Sequence, residues 1–392
     1  MKPELREEHR RIRHAGATVA SLLLGLAVGW NFTNVAAVAD PLSSYYGTPL
    51  AVIGVFTTVF WLTHAAMQLP SGRAADRFGP RPVALVALAV AVGGNAVALA
   101  AAEPAVAIAG RALTGLGTGL AFVAGSDYVR LGRGGALAQG LFGGSAMAGG
   151  ALALALVPLL EDEWSWRAPF WSSLALSGVA ALAVAGGPLR RSTGLHRDAG
   201  RLADLVSDRE LLRLSAVHMA SLGMYTVLFT WIVTLLERAR DYSNEAAGAA
   251  TSVALAAGIV ARPFGGWCVR RWPSSTRRVL AASLAGGTLS TLLLLVADAV
   301  PLALAATAVM GFSAGIAFAP VFVEAARLRP DAPGAAVGWV NTLGNIVPMV
   351  GVPLLGLAFS LPGDGRIGFV VGACLWATPL LLLRTSRPDD AH

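Results

Sequence analysis

The sequence predicts an all-α membrane protein with twelve transmembrane helices in two pseudo-symmetric six-helix bundles. Three observations predict the twelve crossings: a strongly apolar composition, twelve apolar runs of spanning length, and basic residues concentrated in alternate loops. Of the 392 residues, 55% are hydrophobic and only 14% charged, and the mean hydropathy is +0.63. In a soluble domain about a quarter of the residues are charged. A helix needs roughly 20 apolar residues to cross the hydrocarbon. The runs fall at residues 16–39, 49–71, 83–102, 104–127, 135–160, 168–187, 212–236, 246–269, 279–297, 300–325, 335–360 and 367–383.

Charge placement sets the expected topology. The formal charge of +7 would suit a nucleic acid by composition alone, but its distribution does not. With the N-terminus inside, Lys and Arg fall at residues 2–13, 73–81, 130–133, 190–213, 270–278, 327–329 and 384–387, all on one side. The opposite loops carry Arg167, Arg238, Arg240 and Arg366 beside Glu161, Asp162, Glu163, Glu237 and Asp241. This asymmetry follows the positive-inside rule. Both termini are therefore expected in the cytoplasm and the protein in a prokaryotic inner membrane. The basic loops are expected to face anionic lipid, and no nucleic-acid partner is expected.

Along the chain, residues 1–15 form a cytoplasmic N-terminal segment and 16–187 the first bundle. The first apolar run has a basic head and an Ala37-Val-Ala39 stretch resembling a cleavage site. It is longer than a signal-peptide core and opens a series of twelve, so it reads as a helix. The second run carries His64 and Gln68 and leads into residues 72–81, a glycine-punctuated charged turn. A polar turn cannot sit in lipid, so it must face water. The fourth run carries Arg111 near its outer end and Asp127 near its inner end.

Residues 188–211 break the apolar rhythm with arginines, acids, Gly194 and Gly200, and read as the linker between the halves. Within and beyond it, 202–214 has a helical period and is expected on the membrane surface as an amphipathic helix. Residues 212–384 form the second bundle and 385–392 a cytoplasmic tail. A weak repeat relates the halves. Gly115-Leu-Gly117-Thr-Gly119-Leu-Ala-Phe122 echoes Gly311-Phe-Ser313-Ala-Gly315-Ile-Ala-Phe318, and Gly143-Gly144 echoes Gly344-Asn345. Such duplication suits a transporter built from two bundles.

Gly72, Asp76, Arg77, Gly79 and Arg81 form the pattern G-x-x-x-D-R-x-G-x-R between the second and third runs. At this position the pattern resembles the signature loop of the major facilitator superfamily, which implies the major facilitator fold and a secondary transporter. By residue chemistry, Asp76 can cap a helix N-terminus while Arg77 or Arg81 pairs with an acid, Asp127 being the candidate. The plain alternative is a solvated turn that only sets topology. The resemblance implies that this cluster latches the inner gate. In the second half Arg270 stands where Asp76 stands, so only one latch is expected. Arg111-Ala-Leu-Thr-Gly115-Leu-Gly117 resembles the family's R-x-x-x-G-x-G motif, which implies proton or substrate coupling. The alternative is a structural pin.

Arg262 precedes Pro263 and the Gly265-Gly266 pair. A guanidinium presents two donors to a planar anion. This segment resembles the eighth helix of the nitrate/nitrite porters, and Val340 to Ile346, with Asn341 and Asn345, resemble half of their Gly-Asn signature. The chain partly resembles the nitrate/nitrite porter and cyanate transporter branches. Gln68 stands where those porters carry a second arginine, so a singly charged organic anion or cyanate suits this chain better than nitrate. The alternative for Arg262 is snorkelling to lipid phosphate.

Asn31, Asn34, Gln68, Tyr225, Asn341 and Asn345 are expected to complete the substrate site, with Arg111, His64 and His218 in coupling. An Asn in a span can equally join two helices, and a lone histidine can be a satisfied core residue. No Asp or Glu lies in the middle of a span, which argues against proton-driven export of cationic drugs. There is no Walker loop, zinc-ligand pair or Ser/His/Asp grouping, and Cys268 and Cys374 suggest no disulfide or metal site. No enzyme, cofactor or metal is expected.

The reading is a monomeric transporter of a small, anionic molecule in the lipid bilayer, coupled to protons or to a counter-anion. Hydrophobic drug efflux and a transport-inactive membrane sensor are the alternatives. Direction and coupling stay open.

Overall fold

The computed structural model describes residues 3–131, 135–187 and 202–384. Lys2, Arg133, Gly194, Gly200 and the tail 385–392 lie outside the described residues, as does most of the expected linker. The described chain is helical and contains no strands. In order it forms α1 (Pro3–Thr33), α2 (Ala39–Tyr46), α3 (Leu50–Ala66), α4 (Gln68–Phe78), α5 (Pro80–Ala100), α6 (Pro104–Leu131), α7 (Gly135–Trp164) and α8 (Ala168–Gly186). There follow α9 (Leu202–Ser207), α10 (Arg209–His218), α11 (Tyr225–Arg240), α12 (Asn244–Arg271), α13 (Thr276–Leu294), α14 (Val300–Ile316), α15 (Phe318–Leu328), α16 (Pro333–Ala358), α17 (Arg366–Ala377) and α18 (Pro379–Arg384).

Each of the twelve expected crossings is helical. Nine stretches are long and apolar enough to cross a membrane, or ten if α3 and α4, bent by 42°, form one span. One of the nine, Gly135–Gly186, holds both α7 and α8. The remaining expected crossing, α13, carries Arg277 and Arg278 in its first turn. Proline sits inside α7, α12 and α16 at Pro158, Pro263, Pro348 and Pro353. Membrane helices tolerate this because neighbouring groups take up the freed carbonyls.

Two expectations are corrected. Residues 72–78 are helical, not a turn: after a break at Met67 the chain continues as α4 to Phe78. The reversal is confined to Gly79, whose φ of +86° is a conformation open to glycine, and Pro80 then starts α5. The expected surface helix over 202–214 is split. The Asp208 carboxylate accepts the Leu211 N–H at 3.0 Å, so a new helix starts at Arg209. That helix continues through Arg240 as one spanning stretch, so the seventh crossing begins earlier than residue 212.

The chain forms two compact units. One comprises residues 1–200 with 329–339, the other 201–328 with 340–392. Residues 329–339, expected within the second bundle at 212–384, belong to the first unit, where Asp76 of α4 holds the start of α16.

Within each unit, glycines bring the same pair of crossings together. A Cβ on Gly115 of α6 would stand 2.3 Å from the Phe60 carbonyl oxygen of α3, and one on Gly119 would stand 2.3 Å from that of His64. In the other unit a Cβ on Gly311 of α14 would lie 1.8 Å from the Ala254 oxygen of α12. One on Gly315 would lie 2.6 Å from the Gly258 oxygen. Both pairs are a G-x-x-x-G stripe that lets backbones meet. The echo in the sequence is thus a repeated helix contact, fourth crossing on second and tenth on eighth.

Candidate functional site

Three polar groupings stand out, two in the first unit and one in the second. The first fixes the start of α16. Asp76 is 9% exposed. Its Oδ1 accepts the Gly334 N–H and its Oδ2 the Ala335 N–H, both at 2.8 Å. These amides belong to the first turn of α16, where backbone donors have no partner within the helix. The helix also presents its positive pole there. Gly72, one turn before Asp76, is required by the same contact: a Cβ would stand 2.0 Å from the Gly334 carbonyl oxygen. Gly338 makes the matching approach to the Gln68 carbonyl.

The arginines of this segment do not pair as expected. Asp127 pairs with Arg130 on its own helix. Arg81 donates to the Val184 carbonyl at 3.1 Å and to that of Ala185. It therefore caps the C-terminal end of α8, where a cation suits the helix dipole. Arg77 is exposed, with its guanidinium 5.0 Å from the Phe78 ring centroid. The α8 carbonyls and the adjacent Arg130 were closer partners than a sequence pattern could reveal.

The second grouping surrounds Arg111. This residue is 1% exposed and stacks its guanidinium 4.5 Å over Phe60. Its Nη2 donates to the Asn31 carbonyl at 3.0 Å, while Nε and Nη1 have no partner among the described residues. Asn31 Oδ1 accepts from Asn95 Nδ2 at 3.1 Å. Asn95 was not singled out in the sequence, although a buried amide within Gly93-Gly94-Asn95 in an apolar run was the available signal.

Beside Arg111, the ring of His64 lies among Phe32, Phe60, Trp61 and Phe122. His64 Nδ1 is 3.0 Å from Thr118 Oγ1, and Gln68 Nε2 donates to the His64 carbonyl at 3.2 Å. Asn34 stands apart. Its Nδ2 donates to Pro169 O and Ser173 Oγ, and its Oδ1 accepts the Val35 N–H. It braces α1 against α8.

The third grouping lies in the second unit. Arg262 of α12 is 9% exposed, its guanidinium 4.5 Å over the Phe318 ring of α15. Such a stack stabilises a cation away from water. Tyr225 and His218 lie within electrostatic range of Arg262. Between these two, Met219–Met224 forms a π-helix, a rare widened turn that is frequent at functional sites. His218 Nε2 meets Asn341 Oδ1 at 3.2 Å, and its ring faces Phe322 at 5.3 Å. Asn345 donates to the Asn341 carbonyl one turn back. Gly344 makes room for the imidazole, since a Cβ there would lie 2.6 Å from His218 Cδ2.

Two cavities, of about 410 and 320 Å³, open beside Arg277 on α13. The Arg262 cluster lines neither, so side-chain chemistry rather than an open cavity marks the candidate site. Both cysteines are free, and no group of metal-binding side chains occurs among the described residues.

Comparisons with known proteins agree with this architecture. The chain is 30% identical over 205 residues to the inner membrane transport protein YajR of Escherichia coli strain K12, covering 48% of this chain and 45% of that protein. It therefore spans about half the length of this curated relative. Among solved structures, the E. coli fucose:proton symporter FucP superposes with a TM-score of 0.76 at 14% identity, over 95% of this chain and 98% of that one. The human organic anion transporter MFSD10 gives 0.79 at 17%, over 94% and 99%. The proton:xylose symporter XylE gives 0.79 at 12%, over 96% of each chain. At such identities these likenesses show the fold alone. The profile of the Major Facilitator Superfamily matches residues 19–352, and this multi-pass membrane protein belongs to that superfamily.

Proposed function

We propose that the protein is a secondary active transporter that moves a small anionic solute across the inner membrane by alternating access. Family membership and the likeness to an inner membrane transport protein support transport. The anionic solute rests on one observation: Arg262, 9% exposed in a spanning helix and stacked on Phe318. Ionisable groups within spans are costly and mark ligand or ion paths. The solved relatives are transporters of fucose, xylose and organic anions, so the shared fold does not choose among solutes, and the choice rests on side chains.

In this reading Arg262 is the anion ligand, with Tyr225, Asn341 and Asn345 orienting the solute and His218 available for proton coupling. Arg111, Asn31, His64 and Gln68 form a separate polar group in the first unit that responds to the transport cycle. Asp76, with Gly72, holds the start of α16, and alternating access requires that cap to open and re-form. The aromatic cluster of Phe32, Phe60, Trp61 and Phe122 favours a second reading, efflux of a hydrophobic compound.

The test is thermal unfolding of the purified protein against a panel of small anions and hydrophobic drugs, with Arg262→Ala in parallel. A ligand that binds only the native fold raises the melting temperature. An anion that stabilises the wild type and not the variant supports the reading. Stabilisation by drugs alone, equal in both proteins, refutes it.

A further inference from the structure

The second unit holds two buried polar atoms of opposite hydrogen-bonding sense on either side of the π-helix. The Tyr225 hydroxyl has no partner among the described residues, and neither has His218 Nδ1. Both residues are nearly fully buried, at 5% and 1% exposed. Buried polar atoms are almost always paired, so two such atoms around one cation need an explanation.

Their roles follow from the groups that hold them. Asn341 Oδ1, an amide oxygen, only accepts, so the His218 Nε2 that faces it at 3.2 Å carries the proton. In the neutral ring Nδ1 is then a bare acceptor. The ring is held on one side by Phe322 and lies flush against Gly344, so it keeps this orientation. The Tyr225 hydroxyl can donate, and beside it stands the fixed positive charge of Arg262. The cluster therefore offers a cation, a neutral donor and a neutral acceptor.

We propose that this cluster binds a small 2-hydroxycarboxylate, with the carboxylate on Arg262 and the Tyr225 hydroxyl and the substrate hydroxyl donating to His218 Nδ1. The inference deepens the anion reading above and rests on it. A plain carboxylate satisfies the donors and leaves Nδ1 unpaired. A 2-amino acid supplies a donor, but its ammonium places a second positive charge beside Arg262 in a medium of low dielectric. A hydroxyl donates to Nδ1 without adding charge. A site that hydrogen-bonds a substrate hydroxyl discriminates strongly against the analogue lacking it.

The test is equilibrium binding to the purified full chain, read by calorimetry at neutral pH, with matched pairs: lactate against propionate, glycolate against acetate, and alanine beside them. The expected result is that each hydroxy acid binds at least about 10-fold tighter than its deoxy partner, with alanine weaker than lactate. Tyr225→Phe removes only the hydroxyl donor and should weaken lactate and propionate by similar factors. His218→Leu should bring the two to equal affinity. The ligand series on the wild type decides the question even if a variant fails to fold. Equal affinity for propionate and lactate, or tighter binding of alanine, overturns the hydroxycarboxylate and leaves the anion site standing. No binding of any carboxylate overturns the hydroxycarboxylate, while the wider anion panel still decides the anion reading independently.

Discussion

Removing the Asp76 carboxylate should free the start of α16 by an amount that its geometry sets. Two backbone amides, of Gly334 and Ala335, each give their proton to a separate carboxylate oxygen at 2.8 Å. A hydrogen bond to a charged group contributes about 1.5–3 kcal/mol, and losing an N-cap costs about 0.5–2 kcal/mol. Asp76 is 9% exposed and its carboxylate makes two such bonds, so Asp76→Ala should cost about 2–4 kcal/mol locally. At tenfold per 1.4 kcal/mol, opening of that turn becomes about 30- to 700-fold more frequent. Asp76→Asn keeps one acceptor oxygen and should lose about half as much free energy.

The assay is hydrogen exchange of the peptide covering residues 333–339, with the α8 C-terminus as an internal control. Faster exchange confined to the α16 peptide, in the order Ala above Asn above wild type, is the expected result. Unchanged exchange at 334–335 in a folded Asp76→Ala protein would refute the cap. Faster exchange everywhere would show a global loss of stability instead.

Gly72→Ala should loosen the same turn although it removes no hydrogen bond, because its Cβ meets the Gly334 carbonyl at 2.0 Å, backbone that cannot rotate away. The 333–339 peptide should again exchange faster. Gly344→Ala should displace the His218 ring, whose Cδ2 would lie 2.6 Å from the new methyl. Ring displacement should weaken anion binding by about 10-fold, readable by calorimetry, while the melting temperature falls by a few degrees. Arg262→Lys keeps the charge and loses the planar fork and the stack on Phe318. Anion binding should fall by at least about 10-fold, and full retention would show that charge alone suffices.

Arg329 forks onto Asp331 at 3.1 and 2.9 Å and holds its carboxyl below the ordinary value of 3.8. The folded value is lowered, so this contribution is present above pH 4 and lost as the pH falls through the folded value. Melting temperature should therefore drop less on acidification below pH 4 in Asp331→Asn than in the wild type.

Much of the architecture was determined by the sequence alone. All twelve apolar runs fold as helix because a backbone in lipid must satisfy its own hydrogen bonds, and a helix does so locally. The echo of Gly115 and Gly119 in Gly311 and Gly315 was legible for a similar reason. Glycine at a spacing of four makes a stripe on any helix, whatever packs against it.

The candidate site was legible only as a set of residue types. Arg111 and Arg262 were identifiable because a charge in a span is rare, yet the phenyl faces that hold them, Phe60 and Phe318, looked like any other core aromatics. Asn31 and Asn34 read alike in sequence. Tertiary structure separated them, giving Asn31 to Arg111 and Asn95 and spending Asn34 on α8. The pairing of Asp127 with Arg130, the capping of α8 by Arg81 and the docking of Gly334 onto Gly72 were likewise decided by packing. Hydropathy is a property of each residue in turn, and the chain carries it openly. A hydrogen-bond partner is chosen by distance across helices, which exists only once the helices have packed.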